Sequence, residues 1–359
     1  MTDFEKNVSI KGFCEEKPTE EFLIHLKQYH PGIPGYAVKY DFYVTFKGVE
    51  ISSEDYNISA DLSEVWIKNG RIIVPDRVRQ TGKVLNITAT YVKDEKYKTI
   101  LSIKLKKWEQ TLEDNFESYN TDLWTGRDSG AKVDMAFTEF KDNYVRDGKL
   151  CLDFEKHETP TIRNGKECFY SDSGLTTKGK FSQTYGCFTA KMMVPSAPRG
   201  IFSAFWLLPE GKYTETYFFK RTDMGDDFHG CGEIDIMEVF FNPDTRGVAQ
   251  TEHFWEPNWD CKTQGITKSS LGEFREIYGF QYGQYQEYSC VWNEYGLYYY
   301  VNGELTKVNC DIEPVEDVKP AYILFTCYIG PKGSRAWYGE VEDKDLPQTL
   351  LVDWLKVYK

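Results

Sequence analysis

Apolar and polar residues alternate with period two along most of this chain, a pattern that predicts strands rather than helices. The run Tyr40-Asp41-Phe42-Tyr43-Val44-Thr45-Phe46 is rich in β-formers. Residues 84–92 and 100–105 flank the polar turn Lys93-Asp94-Glu95-Lys96, which predicts a hairpin. One stretch departs from this rhythm. Phe22, Leu23, Leu26 and Tyr29 fall on one side of a helix that Thr19 would cap and Pro31-Gly32 would end, so a short helix is predicted there. Several short strands in the first hundred or so residues predict a small immunoglobulin-like β-sandwich over residues 1–110. Trp66 is expected in its core or at its edge, and no chemistry is visible in this part. The polar stretch 109–114 reads as the join.

From residue 111 to 359 one strand pattern follows another. Gly186-Cys187-Phe188-Thr189-Ala190-Lys191-Met192, Tyr298-Tyr299-Tyr300-Val301 and Tyr322-Ile323-Leu324-Phe325-Thr326 are examples. Asn302-Gly303 after the second of these is a strong hairpin signal. The chain closes on the alternating run Leu351-Val352-Asp353-Trp354-Leu355-Lys356-Val357-Tyr358. No long helix is predicted. About 250 residues of antiparallel strands predict an all-β jelly-roll sandwich as the second domain. Trp292 and Trp354 are expected in its core.

Composition narrows the function classes. The 359 residues carry 43 Lys and Arg against 56 Asp and Glu, a net charge of −13. Residues 1–108 hold 17 basic and 15 acidic side chains, so the acidity belongs to the second domain. A nucleic-acid partner is not expected of such a surface. No apolar run approaches the ~20 residues of a membrane-spanning helix. Met1 is followed by polar and charged residues, which fits either a cytoplasmic protein or a secreted one lacking its leader. The nine cysteines are scattered, with no Cys-x-x-Cys pair and no zinc spacing, and buried free thiols or a few disulfides both fit.

The sharpest segment is Gly232-Glu233-Ile234-Asp235-Ile236-Met237-Glu238-Val239-Phe240. In a strand, Glu233 and Asp235 share one face while Ile234 and Ile236 take the other. Strict alternation would then put Glu238 in the core, where an unpaired carboxylate costs several kcal/mol. One extra residue near Ile236 and Met237, a β-bulge, returns Glu238 to the face of Glu233. Two readings follow from the spacing. A solvated acidic edge strand is one. The other is glycoside hydrolysis, which needs a carboxylate to attack the sugar and a second to protonate the leaving oxygen.

The segment resembles the Glu-x-Asp-x-x-Glu signature of glycoside hydrolase family 16, in its laminarinase- and β-galactanase-like branch. Four further stretches agree, in the expected order. Asp114-Asn115-Phe116 resembles the family's opening strand, and Tyr185-Gly186-Cys187-Phe188-Thr189-Ala190-Lys191 its Tyr-Gly-x-Phe-x-Ala-Arg/Lys strand. Phe202-Ser203-Ala204-Phe205-Trp206-Leu207-Leu208-Pro209 resembles its Ala-Phe-Trp-Leu-Leu-Pro strand. Val352-Asp353-Trp354-Leu355-Lys356-Val357-Tyr358 resembles the closing strand. The resemblance covers roughly residues 111–359. It implies a curved β-jelly-roll and a retaining mechanism through a covalent glycosyl-enzyme. Carried over by position, Glu233 is the nucleophile, Glu238 the acid/base and Asp235 the assisting carboxylate. It implies a secreted or cell-surface, monomeric, endo-acting enzyme on a polysaccharide, with β-1,3- or mixed-linkage glucan favoured. An endo-β-galactosidase and a non-catalytic lectin-like protein are the alternatives.

The resemblance also suggests substrate contacts. Trp206 matches a tryptophan under the sugar, and His253 a histidine pointing at the acids. Trp255, Trp259 and Trp337 are candidate subsite walls. For each, a core or surface role is the competing reading. Family members often hold a structural calcium, for which Asp353 matches one ligand; catalysis itself implies no cofactor. The chain departs from the pattern in two places. Phe202 stands where family glucanases commonly carry Trp, and Phe254-Trp255-Glu256-Pro257 replaces a glycine-containing turn. Between Pro209 and Glu233 the chain is long, and Tyr213, Tyr217, Phe218, Phe219, Arg221 and His229 are expected to rim the cleft.

Overall fold

The computed structural model describes residues 14–17, 21–127, 136–139, 144–195, 199–211, 216–221, 230–240, 247–255, 269–270, 273–276, 280–333, 336 and 338–359. The chain divides into two compact units, the first spanning Met1–Glu109 and the second Gln110–Tyr358.

The first unit holds two antiparallel sheets. One runs in the order Cys14–Lys17, Lys98–Lys104, Val84–Tyr91, Tyr56–Ala60, and the other Phe22–His30, Val38–Phe46, Arg71–Val74, Trp66–Lys68. Thr90 lies opposite Lys98, so the hairpin over the turn at Lys93–Lys96 forms as its pattern predicts. Phe22, Ile24, Val44, Ile72, Leu85, Ile87 and Ile103 make the core, each at most 2% exposed. Burying such a side chain contributes about 1.5–3 kcal/mol. Trp66 sits on an edge strand and is 60% exposed.

The short helix expected at Phe22 to Tyr29 is not there; the segment is the strand Phe22–His30. A register shift between Leu26 and Gln28 explains the misreading. Phe22, Ile24 and Leu26 point inward by alternation, and the extra residue then brings Tyr29 inward as well. The inward set 22, 26 and 29 therefore mimics a helical stripe.

The second unit is a sandwich of two large, mainly antiparallel sheets. One sheet includes Gln348–Tyr358, Gly186–Met193, Tyr285–Asn293, Gly296–Val301 and Glu304–Asn309 as consecutive neighbours. The turn at Asn302-Gly303 joins the last two, with Val301 opposite Glu304. The other sheet places the central strand Ala321–Ile329 beside the tryptophan strand Ile201–Pro209. The acidic strand Gly230–Phe240 comes next, then the histidine strand Gly247–Trp255.

Between the sheets lies one continuous core that includes Phe188, Phe205, Ile234, Met237, Trp292, Phe325 and Leu355. Trp292 is fully buried, as expected. Trp354 is not a core residue: it is half-buried, with the Lys356 ammonium 5.0 Å over its ring. Phe218 and Phe219, expected at a rim, are buried in the core instead, because the strand Phe219–Arg221 pairs with Cys231 of the acidic strand. Of the other expected rim residues, Tyr217 is half-buried, while Tyr213, His229 and the Arg221 side chain lie outside the described residues.

Candidate active site

The acidic strand is bulged where the sequence requires it. Phe205 faces Met237 but the next residue, Trp206, faces Asp235, so Ile236 is the extra residue. Ile234, Ile236, Met237 and Val239 all enter the core. Glu233, Asp235 and Glu238 are left on the opposite, outer face.

Strand pairing lays that face out in rows. Phe240, Phe202 and Tyr328 form an aromatic row. In the next, Ala249, Glu238, Ala204 and Thr326 lie side by side. The third carries Thr251, Asp235, Trp206 and Leu324. The fourth pairs His253 with Glu233, and Leu208 with Tyr322. Alternation on each strand thus delivers the three carboxylates, the tryptophan and the histidine to one surface.

Side-chain contacts tie the rows together. His253 Nε2 lies 2.8 Å from Asp235 Oδ2 and 3.7 Å from Glu233 Oε1. The Thr251 hydroxyl donates to Glu238 Oε2 at 2.8 Å. Trp206 Nε1 donates to Thr326 Oγ1 at 2.9 Å, which fixes the ring on the sheet while it stays partly exposed. The Arg127 guanidinium lies 5.9 Å over that ring and donates to the Tyr328 hydroxyl at 3.3 Å. Phe202 packs against Tyr338, Tyr328 and Phe240 with centroids 5.5, 5.6 and 6.0 Å away.

Burial and mutual repulsion set the protonation. Burial pushes the Glu238 carboxyl up to about 8; the Asp235 charge adds to this, and the Thr251 hydrogen bond opposes it. Asp235 is also raised well above its ordinary value, first by burial and then by Glu252, with Lys307 opposing. Glu238 therefore carries a proton at neutral pH, as a general acid must.

Two predictions follow. If Glu238 acts protonated, the alkaline limb of kcat/KM falls near pH 8 in the wild type. A limb unmoved in Thr251→Val would contradict this assignment, because losing the hydroxyl raises the Glu238 pKa and shifts the limb upward. The second concerns stability. The folded pKa of about 8 exceeds the unfolded value, so the unfolded chain gives up its proton first and stability drains away as pH rises toward 8. Glu238→Gln escapes that loss, and its Tm at pH 8 should exceed wild type by a few degrees, or about 1–3 kcal/mol.

Of the other anticipated residues, Trp255 ends the histidine strand opposite Gly230. Its side chain, Trp259 and Trp337 lie outside the described residues. Asp353, expected as a calcium ligand, faces two ammonium groups, Lys149 at 2.6 Å and Lys191 at 3.0 Å. A divalent cation there would have to displace both. A second group of nitrogen and oxygen donors, Glu139, Glu155 and His157, comes together within 4.8 Å on the other sheet. There His157 Nε2 is 2.7 Å from the Ser171 hydroxyl.

Sequence reasoning missed Thr251, Thr326 and Arg127. The first had a readable signal: once His253 faces the acids, alternation brings Thr251 with it. The other two come from strands and loops far along the chain, and nothing in their own surroundings marks them.

Three carboxylates, a histidine and a partly exposed tryptophan thus share one face of an antiparallel β-sandwich, an arrangement suited to glycoside hydrolysis. A family model described as Glycosyl hydrolases family 16 matches residues 129–328, more than half of the chain, and the chain belongs to that family. Among curated relatives, a beta-glucanase of Rhodothermus marinus is 27% identical over 271 residues, covering 72% of this chain and 87% of the relative. A keratan-sulfate endo-1,4-beta-galactosidase of Sphingobacterium multivorum is 26% identical over 196 residues, 54% of this chain and 42% of that protein. The solved laminarinase catalytic domain of Thermotoga maritima superposes with a TM-score of 0.54 at 22% identity. That match covers 70% of this chain and 98% of the other.

Proposed function

We propose that the 110–358 unit cleaves internal bonds of a β-linked polysaccharide with retention of configuration. The observation that carries this is the bulged strand, which sets a protonated Glu238 on the same face as Glu233. Glu233 attacks the anomeric carbon and forms a glycosyl ester as the bond to the leaving oxygen breaks. Glu238 gives its proton to that oxygen. In the second half, Glu238 takes a proton from water, and the hydroxide displaces Glu233. Asp235 stands between them on the same face, and its charge helps to keep the proton on Glu238. A retaining pair requires the two glutamates about 5–5.5 Å apart. Trp206 offers an apolar ring for the C–H face of a pyranose.

β-1,3- or mixed-linkage glucan is the favoured substrate, in line with the Rhodothermus relative. The Sphingobacterium relative supports a second reading, an endo-β-galactosidase on galactans or host glycans. A lectin-like, non-catalytic role fits poorly with an intact set of three acids. The enzyme is read as a secreted or cell-surface monomer. Calcium, if held, has a structural role.

The test is product release from laminarin, mixed-linkage glucan, agarose, porphyran, arabinogalactan and mucin, with wild type and Glu233→Gln. Oligosaccharides from one substrate, absent with the variant, support the assignment. Binding without cleavage by a well-folded protein would reject it.

The first unit is read as an immunoglobulin-like spacer or attachment module. Deleting residues 1–108 should leave turnover of short oligosaccharides within about twofold. A large loss in a folded truncation would assign the module a part in catalysis.

A further inference from the structure

Behind the histidine strand, inside the sandwich, lies a charged pair that the reaction does not use directly. Glu252 is fully buried, and its Oε2 lies 2.7 Å from Lys307 Nζ, itself almost wholly buried. The Tyr299 hydroxyl donates to Glu252 Oε1 at 2.6 Å. Lys307 also donates to the Gln250 carbonyl at 2.9 Å, and Thr306 donates to Gln250 Oε1 at 2.8 Å. The Gln250 amide in turn reaches the carbonyl of Ile236, the bulged residue, at 3.5 Å. Tyr299, Thr306 and Lys307 belong to the opposite sheet, so the network crosses the core from sheet to sheet.

Such a pair is a poor device for stability. Removing two charges from water costs about as much as their attraction returns, and well-packed apolar residues serve as well or better. Its placement suggests another use. Gln250 and Glu252 point inward and alternate with Thr251 and His253, which point outward at Glu238 and Asp235. Whatever holds residues 250 and 252 from behind sets the height of 251 and 253 in front.

We propose that Glu252 and Lys307, with Gln250, are positioning residues. They lock the histidine strand and the bulge so that Thr251 and His253 meet the acids. The inference rests on the hydrolase reading above. The strand is anchored by bonds to the facing sheet as well as by its ladder, and the backbone at Ile236 is held by the same cluster. Among the described residues, Tyr299 and Thr306 of the facing sheet add further polar anchors to the histidine strand.

The test is the double variant Glu252→Leu/Lys307→Met. Single variants strand a buried charge and can fail to fold, whereas the double one keeps the volume and removes both charges. Its Tm should stay within a few degrees of wild type. Its kcat should fall about 10- to 100-fold with KM little changed, since a displacement of about 1 Å has that cost. The alkaline limb should also move to higher pH. The groups that bear on Glu238 are Asp235 on its own strand and Thr251, His253 and Lys307; the tryptophan strand offers only Ala204. Around the pair itself, Asp235, Cys231, Cys290 and Tyr299 are the titratable neighbours among the described residues. Losing the Thr251 bond and the Lys307 charge both raise the Glu238 pKa.

A double variant with wild-type kcat and pH profile would overturn the proposal. If wild type cleaves no glycan, the hydrolase reading fails separately. The positioning claim is then judged from a crystal structure of the double variant. Displacement of Thr251 from Glu238 supports it, and a retained 2.8 Å contact overturns it.

Discussion

The Glu238→Ala variant should lose about 10²- to 10⁴-fold in kcat on a natural glycan, the usual worth of a positioned general acid. It should keep much of its activity on an aryl glycoside with a good leaving group. The reason lies in the site. A sugar alcohol is a poor leaving group and needs the proton that burial holds on Glu238 up to about pH 8. An activated phenolate leaves without it. The second half-reaction then limits the rate, because no base activates water. Azide needs no base, so it should restore turnover and give a glycosyl azide of retained configuration. A retained glycosyl azide from Glu233→Ala and an inverted one from Glu238→Ala would mean that the two roles are exchanged.

Glu233→Gln should be more damaging, at least about 10⁴-fold on natural and activated substrates alike. No leaving group compensates for a missing nucleophile. The amide is nearly isosteric, and Glu233 is half-buried opposite His253, so the fold should survive. In Glu233→Ala, azide can occupy the vacated space and attack from the same side, which gives an inverted glycosyl azide. The product configuration therefore distinguishes the two acids even where the rates do not. Equal losses on activated substrates in both variants, with no azide product from either, would contradict the double-displacement account.

The acidic strand was legible because a physical conflict is written in it. Glu238 in strict alternation would be buried in the core, and only an extra residue removes the conflict; the structure places that residue at Ile236. The same kind of irregularity defeated the reading at Phe22. There the bulge between Leu26 and Gln28 turned a strand into an apparent helical stripe, and no charged residue in the wrong place gave it away. Trp354 shows a different limit. A tryptophan in an alternating strand looks like core, but its ring lies half-exposed under Lys356.

The polar network behind the site was only half legible. Glu252 stands at an inward position once His253 faces the acids, and a carboxylate so placed signals a buried partner. Which partner answers it is decided by the pairing of two sheets, and Lys307 lies 55 residues further on. Thr326 and Arg127 reached the site in the same way. Motif spacing within one strand is local and can be read; convergence across strands depends on register.

The most direct test of the central claim is to follow the digestion of a responsive β-glycan by proton NMR and read the first anomer released. The account predicts that oligosaccharides appear first with the β configuration and equilibrate later. Products that appear first as the α anomer would contradict it, because inversion needs no covalent bond to Glu233.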